Sequence, residues 1–322
     1  MCNECQNHHF ELFDKHSINT LNKDFNIELK NPIFQLHYHT NNVLCLTILK
    51  DERLVSGARD CSIIVYNKTT YLLEIKIKKH NGAILCLCPL SSGALASCSE
   101  DNTIMFFSIK GINYEVLQIL NYHKDSVYKI IELKNKEFVS CSGDASILFY
   151  HKNDSKYQKY LKLITNGSCS SVIQTKENEI CYSEIIDDSI CFFDFSKGIK
   201  KASISNISKR NFTDEWLNML NKELLVIPGE NKLSIVNVNQ YKLVRIIDVI
   251  GSSWIFGSCM INQDILIIGD RSCSLRQWKI KDDNLIFISK KENAHDGDIN
   301  TLINLNNGHI ASGSDGGTII IW

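Results

Sequence analysis

The sequence predicts an all-β fold made of seven copies of one unit. Three observations predict it. First, short apolar, strand-like runs close at positions 66, 107, 150, 193, 236, 278 and 322, spaced by 41, 43, 43, 43, 42 and 44 residues. Internal periods of this length mark a repeat architecture rather than a pair of unrelated domains. Second, in four copies a histidine stands 27 residues before the closing aromatic: His39, His80, His123 and His295. Third, the longest apolar runs have four to six residues, the length of strands and far short of the ~18–20 that span a bilayer as a helix.

Taken along the chain, the first three copies are "HTNNVLCLTILKDERLVSGARDCSIIVY", "HNGAILCLCPLSSGALASCSEDNTIMFF" and "HKDSVYKIIELKNKEFVSCSGDASILFY". Each has a serine ten residues before the closing ring (Ser56, Ser97, Ser140) and an aspartate six before it (Asp60, Asp101, Asp144). Three weaker copies follow. The fourth ends at Phe193 with Ser183 and Asp187 in register, the fifth ends near Val236, and the sixth ends at Trp278. The last, "HDGDINTLINLNNGHIASGSDGGTIIIW", keeps Ser312. Its aspartate sits one place early, at Asp315, and Gly316 occupies the expected slot.

On these residues the chain over 31–322 resembles a WD-repeat β-propeller of seven blades. The matching pieces are the opening histidine, the turn seen as "SGARD", "SCSED", "SCSGD" and "SGSDG", the β-branched strand after it, and the closing aromatic. Tryptophan closes only two copies, at Trp278 and Trp322. The resemblance implies four strands per blade. The last copy supplies three, so its fourth is expected from "NPIFQLHY" (Asn31–Tyr38), paired beside Thr318–Ile321, with Pro32 at the strand start where no ladder donor is lost.

The resemblance also implies a role for the recurring polar residues. A hydrogen-bonded tetrad of His, Ser, Asp and ring is expected in His39–Ser56–Asp60–Tyr66 and His123–Ser140–Asp144–Tyr150. A set shorter by one bond is expected in His80–Ser97–Asp101, because Phe107 has no hydroxyl. His295, Ser312 and Trp322 form the counterpart in the last blade. A Ser-His-Asp nucleophile is the competing reading. A catalytic triad needs one exposed nucleophile, whereas these residues recur copy after copy as a structural device does.

Propellers of this kind bind proteins or peptides around one mouth of the central channel. By position, the residue before the turn aspartate and those flanking the start of each inner strand face it. These are Arg59, Glu100, Gly143, Ile186, Gly229, Arg271 and Asp315 from the turns, and they include Asn42, Leu44, Tyr128, Trp254, Phe256, Asp298 and Asn300 from the strands. The partner-binding set is taken as Trp254, Phe256, Arg271, Arg59, Tyr128, Glu100, Asp298 and Asp315. Trp254 and Phe256 could equally pack between blades five and six. Acids and bases mix at this mouth, which suits a peptide better than a nucleic acid.

Residues 1–30 lie outside the repeats. Cys2, Cys5, His9 and His16 could hold a zinc ion, and "MCNECQNHHF" is similar to the tail of a B-box or RING-type zinc module. The other reading is a leader without fixed structure.

Bulk composition narrows the function. With 35 basic and 36 acidic residues the formal net charge is −1, which argues against nucleic acid or an anionic membrane as partner. The start of the chain is polar, not a signal peptide. Thirteen cysteines at irregular spacing read as small buried hydrophobes in a reduced, intracellular protein, cytoplasmic or nuclear. The expectation is a scaffold that binds other proteins, with no catalysis and no cofactor. The alternatives are a substrate receptor or subunit of a ubiquitin-ligase-type assembly with a zinc-binding leader, and a hydrolase working in the channel through Asp298, Asp315 and Glu100.

Overall fold

The computed structural model describes residues 31–322, apart from 155, 187, 206, 208–216, 253, 263, 282, 283 and 306. Among the described residues the chain forms seven four-stranded antiparallel sheets and no helix. Blade one comprises Val43–Ile48, Leu54–Ala58, Ile63–Tyr66 and Leu73–Ile77, hydrogen-bonded in that order from the inner strand outward. Blades two to six repeat the pattern, and the inner strands of blades one to four and of blades six, seven and one pack against one another around the axis.

The alternation of each strand explains the packing. In blade two, Ile84, Leu87, Leu95, Met105 and Phe107 turn toward blade one, while Cys86, Ala96, Ile104 and Phe106 turn toward blade three. Side chains of a strand alternate between faces, so a sheet sandwiched between two others needs apolar residues on both. The result is one apolar cluster at each of the seven blade interfaces. Outer strands break the pattern. Asn113–Leu120 alternates exposed and half-buried residues, as an edge facing solvent should.

The last blade is closed from the other end of the chain. Phe34–Leu36 pairs antiparallel with Ile319–Ile321, Phe34 opposite Ile321 and Leu36 opposite Ile319. The expected strand Asn31–Tyr38 is therefore shorter than its alternation suggested. Its partner is only three residues long, so the ladder can be no longer. Leu36 and Ile321 are fully buried in the cluster that joins blade seven to blade one.

Eleven cysteines fall among the described residues, none in a disulfide, and eight are buried. Cys98 and Cys141 follow the recurring serine, a slot that is Gly57 in blade one and Gly313 in blade seven. A Cβ on Gly313 would lie 2.6 Å from Val43 Cγ1 of blade one. At Gly57 and Gly313 the slot takes no side chain because the next blade's inner strand, through Ile84 and Val43, presses on it.

Candidate functional site

The blades are locked before the mouth is shaped. In blade one, His39 Nδ1 lies 3.1 Å from both Asp60 carboxylate oxygens, and its Nε2 is 2.6 Å from Ser56 Oγ. Ser56 Oγ is in turn 2.8 Å from the Tyr66 hydroxyl. Asp60 can only accept, so Nδ1 carries the proton. Burial opposes the Asp60 charge, but hydrogen bonds from His39 and Ser62 hold its carboxyl well below the usual range. Blade three repeats the chain at 3.0, 2.8 and 3.0 Å through His123, Asp144, Ser140 and Tyr150. In blade two, His80 meets Asp101 at 2.8 Å and Ser97 at 2.6 Å, and the chain stops at Phe107. Ser56, Ser97 and Ser140 are completely buried, so none is placed to attack a substrate.

The other four blades depart from this scheme, and in blade five Val226 stands in the slot of the serine. In blade seven, His295 Nε2 lies 2.6 Å from Ser312 Oγ, which also accepts from Trp322 Nε1 at 2.8 Å. His295 Nδ1 is buried with no hydrogen-bond partner, because Asp315 has shifted out of reach. Burial without an acceptor pushes the His295 pKa down to about 4. In blade six, Trp278 Nε1 is buried and unpaired, since Ile268 replaces the serine. There Arg276 replaces the histidine. Its Nε donates to Asp270 at 2.8 Å, and its other nitrogens donate to the carbonyls of Ile250 and Gly251 at 3.0 and 2.7 Å. In blade four, Ser183 meets Ser170 at 3.0 Å, and Asp187 lies outside the described residues.

On the face formed by the loops entering the inner strands, a cavity of about 260 Å³ opens at the axis. Leu44, Leu85, Tyr128 and Phe256 give it an apolar wall. Arg59, Arg271, Asp298 and Asp315 give it charge. The charges pair between neighbouring blades, Arg271 Nε with Asp298 at 3.3 Å and Arg59 with Glu100 at 3.7 Å. Burial and the charge of Asp315 both raise the Asp298 pKa, against the pull of Arg271. Asp315 accepts from Asn42 Nδ2 at 2.6 Å and Asn300 Nδ2 at 2.8 Å, which stitches blade seven to blade one at the rim.

Of the eight residues taken as partner-binding, six line this cavity: Arg59, Tyr128, Phe256, Arg271, Asp298 and Asp315. Glu100 joins it through Arg59. Trp254 is half-buried and outside the lining. Its backbone pairs with Glu230 of blade five and accepts from the Arg271 amide at 2.8 Å, so it ties blades five and six together. Sequence reading omitted Leu85, although it stands five residues after His80 as Leu44 and Tyr128 stand five after theirs. It also omitted the Arg276–Asp270 pair, whose signal is an arginine inside the apolar run "LRQW". Cys2, Cys5, His9 and His16 lie outside the described residues. Among the described residues no cluster of three or more His, Cys, Asp or Glu is arranged to hold a metal ion.

Comparison with known proteins agrees with this geometry. The WD domain, G-beta repeat family matches residues 30–67, 72–108 and 288–322. A p21-activated protein kinase-interacting protein 1-like protein of Gallus gallus is 30% identical over 96 residues, 30% of this chain. The match spans a quarter (25%) of that relative's length. A solved structure titled "Structure of U3-55K" superposes with a TM-score of 0.77 at 16% identity, covering 89% of this chain and 97% of that one, a likeness of fold.

Proposed function

We propose that this chain, a seven-bladed WD-repeat β-propeller, is a scaffold that holds another protein at the mouth of its channel and does no chemistry of its own. The observation that carries the reading is the mouth itself. An apolar wall of Leu44, Leu85, Tyr128 and Phe256 is surrounded by the pairs Arg271–Asp298 and Arg59–Glu100. Aromatic and arginine side chains beside apolar surface are what interface hot spots are made of. The alternating signs favour a peptide segment carrying both charges over a phosphate backbone, in line with the net charge of −1. WD-repeat propellers are in general interaction platforms, and the name of the Gallus gallus relative describes an interacting protein.

The test is affinity capture from native lysate with the wild type and a Phe256→Ser/Arg271→Glu variant, both shown to be folded by circular dichroism. The reading expects a specific set of proteins to be retained by the wild type and lost with the variant. An unchanged set would move the binding surface away from the mouth.

A further inference from the structure

A second cavity lies on the opposite face, at the outer rim between blades two and three. It measures about 310 Å³, near the ~300 Å³ lower end of pockets that hold ligands. Its position follows from the strand order. The residues around it come from the Ile84–Pro89 to Leu95–Ser99 turn, from both sides of the Ile104–Lys110 to Asn113–Leu120 hairpin, and from the hairpin joining Ser146–Asn153 to Lys156–Ile164. Those turns are at the end of the blades away from the mouth.

The floor is apolar: Leu90, Phe106, Ile109 and Tyr157. Phe106 and Tyr157 stack at 4.7 Å across the blade interface. The floor is also fixed in place. The Gln118 side chain donates to the Tyr157 carbonyl at 2.7 Å and accepts from the Tyr157 amide at 2.8 Å, acting like one rung of a ladder between the two blades. On one lip, Leu117 is 51% exposed, a large apolar side chain left in water beside an apolar floor.

The rim carries one sign of charge. Lys110 and Lys152 are both exposed at its edge, and among the described residues neither has a carboxylate within ion-pair reach. Lys152 sits 5.8 Å above the Tyr157 ring. The carboxylate whose charge reaches Tyr157 is Glu132, and both its oxygens are already taken by the Ser91 amide and hydroxyl at 2.7 and 2.6 Å. An apolar slot between two unpaired cations is complementary to an apolar side chain carried between acids.

We propose that this groove is a second docking site, which takes a short acidic segment of a partner protein with one large apolar side chain seated on Phe106 and Tyr157. The acids flanking that side chain pair with Lys110 and Lys152. The site is separate from the mouth, so the propeller can hold two segments at once.

The test is fluorescence anisotropy of the full chain with three labelled peptides. One is Gly-Glu-Glu-Phe-Glu-Asp-Gly, the second has Ala in place of Phe, and the third has Lys in place of every acid. The first should bind saturably. The Ala and Lys peptides should bind at least about tenfold more weakly, as should the first peptide to a Lys110→Glu/Lys152→Glu variant, given two lost surface ion pairs turned to repulsions. The Phe256→Ser/Arg271→Glu mouth variant should bind the first peptide like the wild type. No saturable binding, equal binding of the Lys peptide, or binding lost with the mouth variant and kept in the lysine variant would each overturn the proposal. Sedimentation of the wild type checks for a second copy of the chain as occupant. A concentration-dependent dimer abolished by Lys110→Glu/Lys152→Glu would also overturn it.

Discussion

At the scale of single residues, the clearest feature is one missing carboxylate. Blades one to three give their histidine an acidic acceptor, and His295 has none. Gly316 occupies the acceptor's slot. A Cβ there would meet nothing closer than Thr318 Oγ1 at 3.8 Å, and Thr318 stands where Ser62, Thr103 and Ser146 donate to the aspartates of blades one to three. Gly316→Asp should therefore complete the tetrad and stabilise the fold by about 1–2 kcal/mol, read as a higher urea midpoint at unchanged slope. The same defect sets a pH dependence. The His295 pKa is depressed to about 4 from an unfolded value of about 6.5, so it contributes stability that is present above pH ~6.5. That stability is lost as pH falls toward 4, by an amount on the order of 3 kcal/mol. His80 and His123 are shifted down too and act in the same direction. Urea titrations at pH 7, 5.5 and 4.5 should show this loss, and Gly316→Asp should blunt it, because an acceptor on Nδ1 favours the charged ring.

At the scale of strands and blades, packing decides more than polarity. In blades one, two, three and seven the residue after the recurring serine is small: Gly57, Cys98, Cys141 and Gly313. In blade seven a Cβ on Gly313 would lie 2.6 Å from Val43 Cγ1 and 2.8 Å from Thr301 Cγ2. Gly313→Val should destabilise by about 1–3 kcal/mol through overpacking, measurable by denaturant unfolding, whereas Gly313→Ala should cost less. Strands and blades were legible in the sequence because their signals are local. Period-2 apolar runs, the histidine and the turn aspartate all fall at fixed offsets within one unit. What was not legible depends on another unit. The closing strand is held to Phe34–Leu36 by its three-residue partner. The Arg276–Asp270 clamp of blade six reaches the Ile250 and Gly251 carbonyls in the loop entering that blade, in the place where other blades use histidine. Trp254 has the same spacing as the mouth residues, yet its backbone is tied to blade five. For the mouth, position in the repeat was enough to bring together Arg59, Tyr128, Phe256, Arg271, Asp298 and Asp315, and the same rule applied once more would have added Leu85.

At the scale of the whole molecule, the ring is closed by three residue pairs and by the apolar cluster around Leu36. Leu36→Asp would bury a carboxylate between blades seven and one, and should cost at least about 3 kcal/mol. Hydrogen exchange should then show the inner strands of blades one and seven losing protection ahead of blades three and four. A closed ring brings five blades, one to three and six and seven, to a single cavity with charges paired across blade boundaries. That convergence, which no single blade possesses, is why we propose that binding takes place at the mouth. The most direct measurement is site-specific photo-crosslinking in native lysate. A benzoylphenylalanine would be placed at Leu85 in the mouth, with Ile199 on the exposed outer strand of blade four as control. Crosslinks from Leu85 to a protein also retained in the capture experiment, and none to it from Ile199, are the predicted result. Crosslinks to the captured protein from Ile199 alone would contradict the assignment of binding to the mouth.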